Sequence, residues 1–141
     1  MTIKEIEKEI IEEFSIFEDW MDKYNYLIEL GRECPIIEEK EKNDKNLIKG
    51  CQSKVWVSAR LVNGLMDIKA DSDAVITKGI ITLLLRVFNH QSPKDVEEAD
   101  ISFIDKIGLT SHLSPTRSNG LNAMIKQIKL YAMAFNIKQQ A

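Results

Sequence analysis

Cys51 stands in the stretch KGCQSKVWV, Lys49–Val57, behind a glycine and ahead of two polar residues. A cysteine that only packs usually sits inside an apolar run. This one sits in a turn, flanked by Lys49 and Lys54. The thiolate is the nucleophilic form of cysteine, and nearby positive charge lowers the thiol pKa. In an extended loop Lys49 points the same way as Cys51. Gly50 permits backbone angles that other residues avoid, and Gln52 and Ser53 can donate hydrogen bonds to an anionic sulfur. Composition and spacing leave two readings open here: a reactive thiol, or an inert buried cysteine.

The other candidates are weaker. Cys34 lies between Glu33 and Pro35, where a neighbouring carboxylate disfavours thiolate, so it reads as structural. Arg117 falls in the first turn of a helix opening near Ser114, where the helix dipole disfavours a cation. Gly120, a little further in, costs about 1 kcal/mol against alanine. Two local penalties so close together suggest an arginine facing an anion and a glycine allowing close backbone approach. A surface ion pair and a helix that starts later remain the alternative. His112 is a candidate acid or base, set against an ordinary solvated loop histidine.

Composition bounds what these residues can serve. The chain has 141 residues, 44% hydrophobic and 29% charged, which fits one globular domain over residues 1–141. Residues 1–50 hold 14 acids and 8 bases, net -6; residues 51–141 hold 8 acids and 11 bases, net +3. No basic stripe argues for nucleic acid, and no apolar run is long enough for a membrane helix. The acidic amphipathic start resembles neither a signal nor a transit peptide, so a cytoplasmic protein is expected. Two cysteines and two histidines show no zinc-type spacing. They are also fewer thiolates than a cysteine-ligated cluster usually takes. No resident metal is expected.

The elements that must position these residues follow from periodicity. Ile3, Ile6, Ile10, Phe14 and Phe17 predict a helix over roughly 2–17. Asp19 can cap a second, with Trp20, Tyr24, Leu27 and Ile28 inside and Gly31 at its end. Residues 38–46, EEKEKNDKN, read as a solvated loop. Residues 54–61 and 65–70 read as strands joined by Asn63-Gly64, a strong hairpin signal. Asn46–Lys49 can add a short third strand. Asp71, Ser72 or Asp73 can cap an almost wholly apolar helix running to about Phe88, expected to be buried at the centre. Ser92-Pro93 opens a short helix, a helical turn at Phe103–Ile107 ends at Gly108, and Ser114-Pro115 opens a long final helix. Leu121, Met124, Ile128, Tyr131 and Phe135 mark its inner face. The expected class is α+β, with an antiparallel sheet of about three strands packed against helices.

The same stretches, in the same order, resemble the SufE family of sulfur-acceptor proteins. Gly50-Cys51-Gln52-Ser53 followed by Val55-Trp56 resembles its active-cysteine segment. Asp71-Ser72-Asp73-Ala74 and Lys78-Gly79 resemble its helix-opening motif, and Leu113 to Leu121 its C-terminal signature. Trp20, Tyr24, Leu27, Ile28, Leu30 and Gly31 match its second helix. Cys34 departs from the pattern, where an apolar residue is expected. The resemblance implies a fold like that of the IscU-type cluster scaffolds. It also implies a protein that takes sulfur from a pyridoxal-phosphate-dependent cysteine desulfurase (SufS-like) and passes it to an iron–sulfur scaffold complex (SufBCD-like). Cys51 would carry the sulfur. Gly50, Gln52, Ser53, Asp73, Arg117 and His112 would support it or meet the partner. No cofactor of its own is implied, and Trp56 with the central helix would shelter the loaded sulfur. Two other classes remain open: a self-contained thiol enzyme pairing Cys51 with His112, and an adaptor that does not use its thiols.

Overall fold

Asn63 and Gly64 both adopt positive φ, 53° and 79°, the backbone of a tight hairpin turn whose twist matches its strands. They join β1 (Val55–Val62) to β2 (Leu65–Ser72), paired antiparallel from Val55↔Ser72 to Val62↔Leu65. The computed structural model describes residues 1–140. One face of this hairpin buries Val55, Val57, Met66, Ile68 and Ala70. The sheet has two strands, against the three expected. Asn46–Lys49 contributes one antiparallel bridge, Leu47↔Trp56, and Ile36 contributes one parallel bridge to Ala70. Pairing stops there because the chain turns away at Gly50, whose φ is +92°.

Two helices precede the sheet. In α1 (Ile3–Ser15), Thr2 and Glu5 form a reciprocal capping box. The stripe it buries is Ile3, Glu7, Ile10 and Phe14; Ile6 and Phe17, expected inside, are only half-buried. The helix stops at Ser15, which leaves Phe17 outside it, against Tyr26 at 5.1 Å. In α2 (Trp20–Gly31), the Asp19 carboxylate accepts from the Asp22 N–H at 2.9 Å, the expected cap. Leu27, Leu30 and Gly31 are buried, with Trp20, Tyr24 and Ile28 half-buried beside them.

The charged stretch at 38–46 is less free than its composition suggests. A 3-10 turn forms at Glu39–Glu41. Asn46 is buried: it donates to the Glu41 carbonyl at 2.8 Å and accepts from the Tyr131 hydroxyl at 2.9 Å.

Behind the sheet runs α3 (Val75–Phe88), buried almost all round as expected. Its N-cap position is Ala74, with no side-chain cap. The acids expected there are engaged elsewhere: Asp73 accepts from the Lys54 N–H, and Asp71 pairs with Lys42 and Lys78. Ser92 caps α4 (Pro93–Glu98), and α5 (Phe103–Lys106) ends before Gly108, at φ +84°. A further short helix, α6 (Leu109–His112), lies where a loop was expected. The last helix, α7 (Pro115–Gln140), buries Leu121, Met124, Ile125, Ile128 and Ala132; Tyr131 and Phe135 are half-buried. Its Lys129 ammonium donates to the Ala99 carbonyl at 2.6 Å, tying it to the end of α4.

Candidate functional site

Cys51 sits near the apex of the six-residue connection Lys49–Lys54. Both legs of this connection are fixed. On one side Ile48 donates its N–H to the Val55 carbonyl at 2.8 Å, and Val57 donates to Asn46 at 3.0 Å. On the other side Lys54 donates its N–H to the Asp73 carboxylate at 2.9 Å, and Asp73 returns an N–H to the Lys54 carbonyl at 3.2 Å. The Ser53 hydroxyl donates to Thr77 Oγ1 at 3.1 Å. The tip between these anchors holds Gly50, Cys51 and Gln52.

The tip folds against α7. The Cys51 thiol donates to the Gly120 carbonyl at 3.7 Å, a long contact of the weak kind sulfur makes. It opens onto a cleft of about 400 Å³ whose lining includes Thr77 and Ile80 from α3 and Arg117, Gly120 and Met124 from α7. Cys51 is half-buried there, and burial pushes its thiol above the usual cysteine value. The lowering expected from Lys49 and Lys54 is not realised in this closed arrangement. Both lysines are exposed, and desolvation governs the thiol instead. Burial favours the protonated form there.

The expected supporting residues divide into two groups. Gln52, Ser53, Asp73 and Arg117 line the cleft with Cys51, and Gly50 adjoins it in the loop. Arg117 is exposed on the third residue of α7 and donates from Nη1 to the Tyr24 hydroxyl at 2.9 Å. Among the described residues it has no carboxylate partner within ion-pair distance. His112 is not in the cleft lining. It stacks on Trp20 with ring centroids 4.3 Å apart, and its Nδ1 lies 2.9 Å from the Gly108 carbonyl oxygen. Nothing in the cleft thus offers Cys51 an imidazole base. Trp56 does not form the shelter expected of it either: Lys42 lies over its ring at 5.4 Å, and the apolar wall is Ile80 with Met124.

Three contributors escaped the sequence reading. Thr77 anchors Ser53, Tyr24 receives Arg117, and Met124 floors the cleft. Thr77 was visible as a hydroxyl in an apolar helix. Met124 looked like any other core position. Cys34 is buried and donates to the Ala70 carbonyl at 3.5 Å, with its thiol also pushed up by burial. It is a packed cysteine, as expected. Among the described residues no three His, Cys, Asp or Glu side chains converge where a metal ion would sit, and no described helix is long and apolar enough to cross a membrane.

An α+β framework that carries a lone thiol on a tethered loop, over a cleft between two helices, defines the class. Residues 8–132 match the family model of the Fe-S metabolism associated domain, SufE. The chain therefore belongs to the SufE family, a family associated with iron–sulfur metabolism. Its fold is also similar to the solution structure of a hypothetical protein from Thermus thermophilus. That likeness has a TM-score of 0.76 at 21% sequence identity, over 92% of this chain and 94% of that one.

Proposed function

We propose that this protein is a sulfur acceptor and carrier. It takes persulfide sulfur from a pyridoxal-phosphate-dependent cysteine desulfurase onto Cys51, stimulates that desulfurase, and delivers the sulfur to an iron–sulfur scaffold complex, in the cytoplasm. The observation that carries the reading is the placement of Cys51 at the tip of a loop held at both legs and folded over a cleft. Membership of a family associated with iron–sulfur metabolism supports it.

The chemistry is thiol exchange. The Cys51 thiolate attacks the outer sulfur of the donor's cysteine persulfide. The donor's S–S bond breaks, its inner sulfur leaves as thiolate, and a new S–S bond forms on Cys51. The Cys51 proton passes to the leaving thiolate or to water, and no oxidant enters. Because burial favours the neutral thiol, Cys51 must lose its proton before it attacks, and exposure of the tip to the partner would ease that loss. The cleft beside Ile80 and Met124, about 400 Å³, has room for one more sulfur atom and shields it in part from solvent. Arg117 at the rim offers a positive charge to the anionic sulfur or to an acidic group on the partner. The carrier needs neither a base nor a cofactor of its own, since the donor supplies the activated sulfur.

The test incubates the protein with a purified desulfurase and free cysteine, then locates added sulfur by non-reducing peptide mass spectrometry. One extra sulfur atom on Cys51 is expected, together with faster desulfurase turnover. Cys51→Ser should abolish both and leave the fold intact. Loading on Cys34 alone, or no loading where a known acceptor is loaded, would overturn the carrier reading. Full stimulation by Cys51→Ser would point to an adaptor.

A further inference from the structure

We propose that Gly120 is a positioning residue for the Cys51 thiol: the space left by its missing side chain is the seat in which the closed loop holds that thiol. A Cβ built on Gly120 would lie 3.3 Å from Cys51 Sγ and 3.8 Å from both Cys51 Cα and Cβ. Apart from its own stretch of helix, its three nearest neighbours are thus all atoms of Cys51. Cys51 abuts the point where a side chain at position 120 would begin, closely enough that the sulfur would have to shift by a few tenths of an ångström. One helical turn on, Ala123 continues the seat: a Cβ on Gly50 would meet the Ala123 Cβ at 3.9 Å. The tip of the loop lies against two small residues of α7, three apart and so on one face of the helix.

Gly120 is buried in the second turn of α7, where glycine is a poor helix former and alanine the best. The helix tolerates the weaker former because the thiol fills the gap. The seat also discriminates between the two forms of the sulfur. The neutral thiol donates to the Gly120 carbonyl, whereas a thiolate has no proton to donate and faces the negative end of the carbonyl dipole. The seat therefore holds the protonated thiol, and ionisation favours release of the tip. This proposal rests on the carrier reading only for what the seat is used for; the seat itself is a statement about thiol access.

The test measures alkylation of Cys51 by iodoacetamide against pH in a Cys34→Ala background, for Gly120, Gly120→Ala and Gly120→Val. A methyl at 120 crowds the sulfur and a branched side chain excludes it. The rate should rise several-fold for alanine and further for valine, with the half-maximal pH moving down toward an ordinary thiol as burial is lost. A merely structural glycine would not move that profile. In a parallel double-mutant cycle, Gly120→Ala should raise the melting temperature more in a Cys51→Ala protein than beside Cys51, because the clash is then gone. Superimposable alkylation profiles for all three, in proteins with unchanged circular dichroism, would overturn the proposal. Failure of the wild-type protein to take sulfur from a desulfurase would remove the carrier reading and leave the seat standing.

Discussion

Arg117 shows how a side chain can be held and yet keep its charge available. The Tyr24 hydroxyl accepts one of its N–H groups at 2.9 Å, which fixes the guanidinium at the rim of the cleft without neutralising it. A charge-assisted hydrogen bond contributes about 1.5–3 kcal/mol, so under the proposed carrier function Arg117→Ala should weaken stimulation of the desulfurase by about tenfold or more. The fold should survive, because the side chain is exposed. A titration of Arg117→Ala against desulfurase that superimposes on wild type would mark the arginine as ordinary surface. At this scale the sequence made Cys51 visible through Gly50, the flanking lysines and the polar residues after it. It could not show that burial outweighs those lysines. That depends on what the loop rests against, and the contact is to Gly120, 69 positions away. Likewise His112 looked free to act, but its stacking partner Trp20 comes from another helix.

At the scale of elements, α2 and α3 cross at their backbones. Gly79 and Gly31 meet there: a Cβ on Gly79 would lie 2.1 Å from the Leu27 carbonyl oxygen, and one on Gly31 would lie 3.1 Å from the Gly79 nitrogen. No rotamer relieves a clash made by Cβ with a main-chain oxygen, so the helices themselves must separate. Gly79→Ala should therefore destabilise the protein by about 3 kcal/mol or more, and Gly31→Ala by less. Chemical denaturation checks the order, and equal stabilities would mean the crossing is loose. Caps, hairpin turn and apolar periodicity were legible because each is local: Asp19, Asn63-Gly64, Ser92 and Ser114 all act where the sequence put them. The missing third strand and the uncapped start of α3 were not. Asp73 reads as a cap from its neighbours alone, but a tertiary partner, the Lys54 N–H, claims its carboxylate. The helix α6 was missed because four residues are too few to show a period.

Across the whole molecule, the acidic first half meets the more basic second half at Arg86. Its Nη1 donates to Glu13 at 2.8 Å, its Nη2 lies against Glu13 and Glu9, and the Tyr26 hydroxyl also donates to Glu13. Hydrogen bonding to Arg86 holds the Glu13 carboxyl below the usual glutamate value against the opposing effect of burial. A depressed carboxyl contributes stability above its unfolded pKa, and the contribution is lost as pH falls through the folded value. Arg86→Met should thus cost about 1 kcal/mol near neutrality, reduced by solvent screening of these partly exposed groups. The gap from wild type should close in acid as Glu13 becomes protonated in both proteins. Urea denaturation at a series of pH values reads this directly, and a gap that stays constant into acid would place the effect in packing rather than charge. The charge asymmetry was plain in the sequence, but not that one arginine from α3 gathers two glutamates of α1.

The anchoring of the Lys49–Lys54 connection sets a working radius. Ile48 and Lys54 are pinned by backbone hydrogen bonds, so Cys51 hangs on three residue steps from either end. At about 3.3–3.6 Å per residue, a fully stretched tether lets its Cα swing no more than roughly 10 Å from its posts. Anything the sulfur meets must come inside that circle. A partner whose reactive atom lies deeper than this beneath its own surface is out of range unless it also accommodates the hairpin that bears the loop. The short leash thus acts as a filter on shape, selecting among partners by how deeply they admit this corner of the protein.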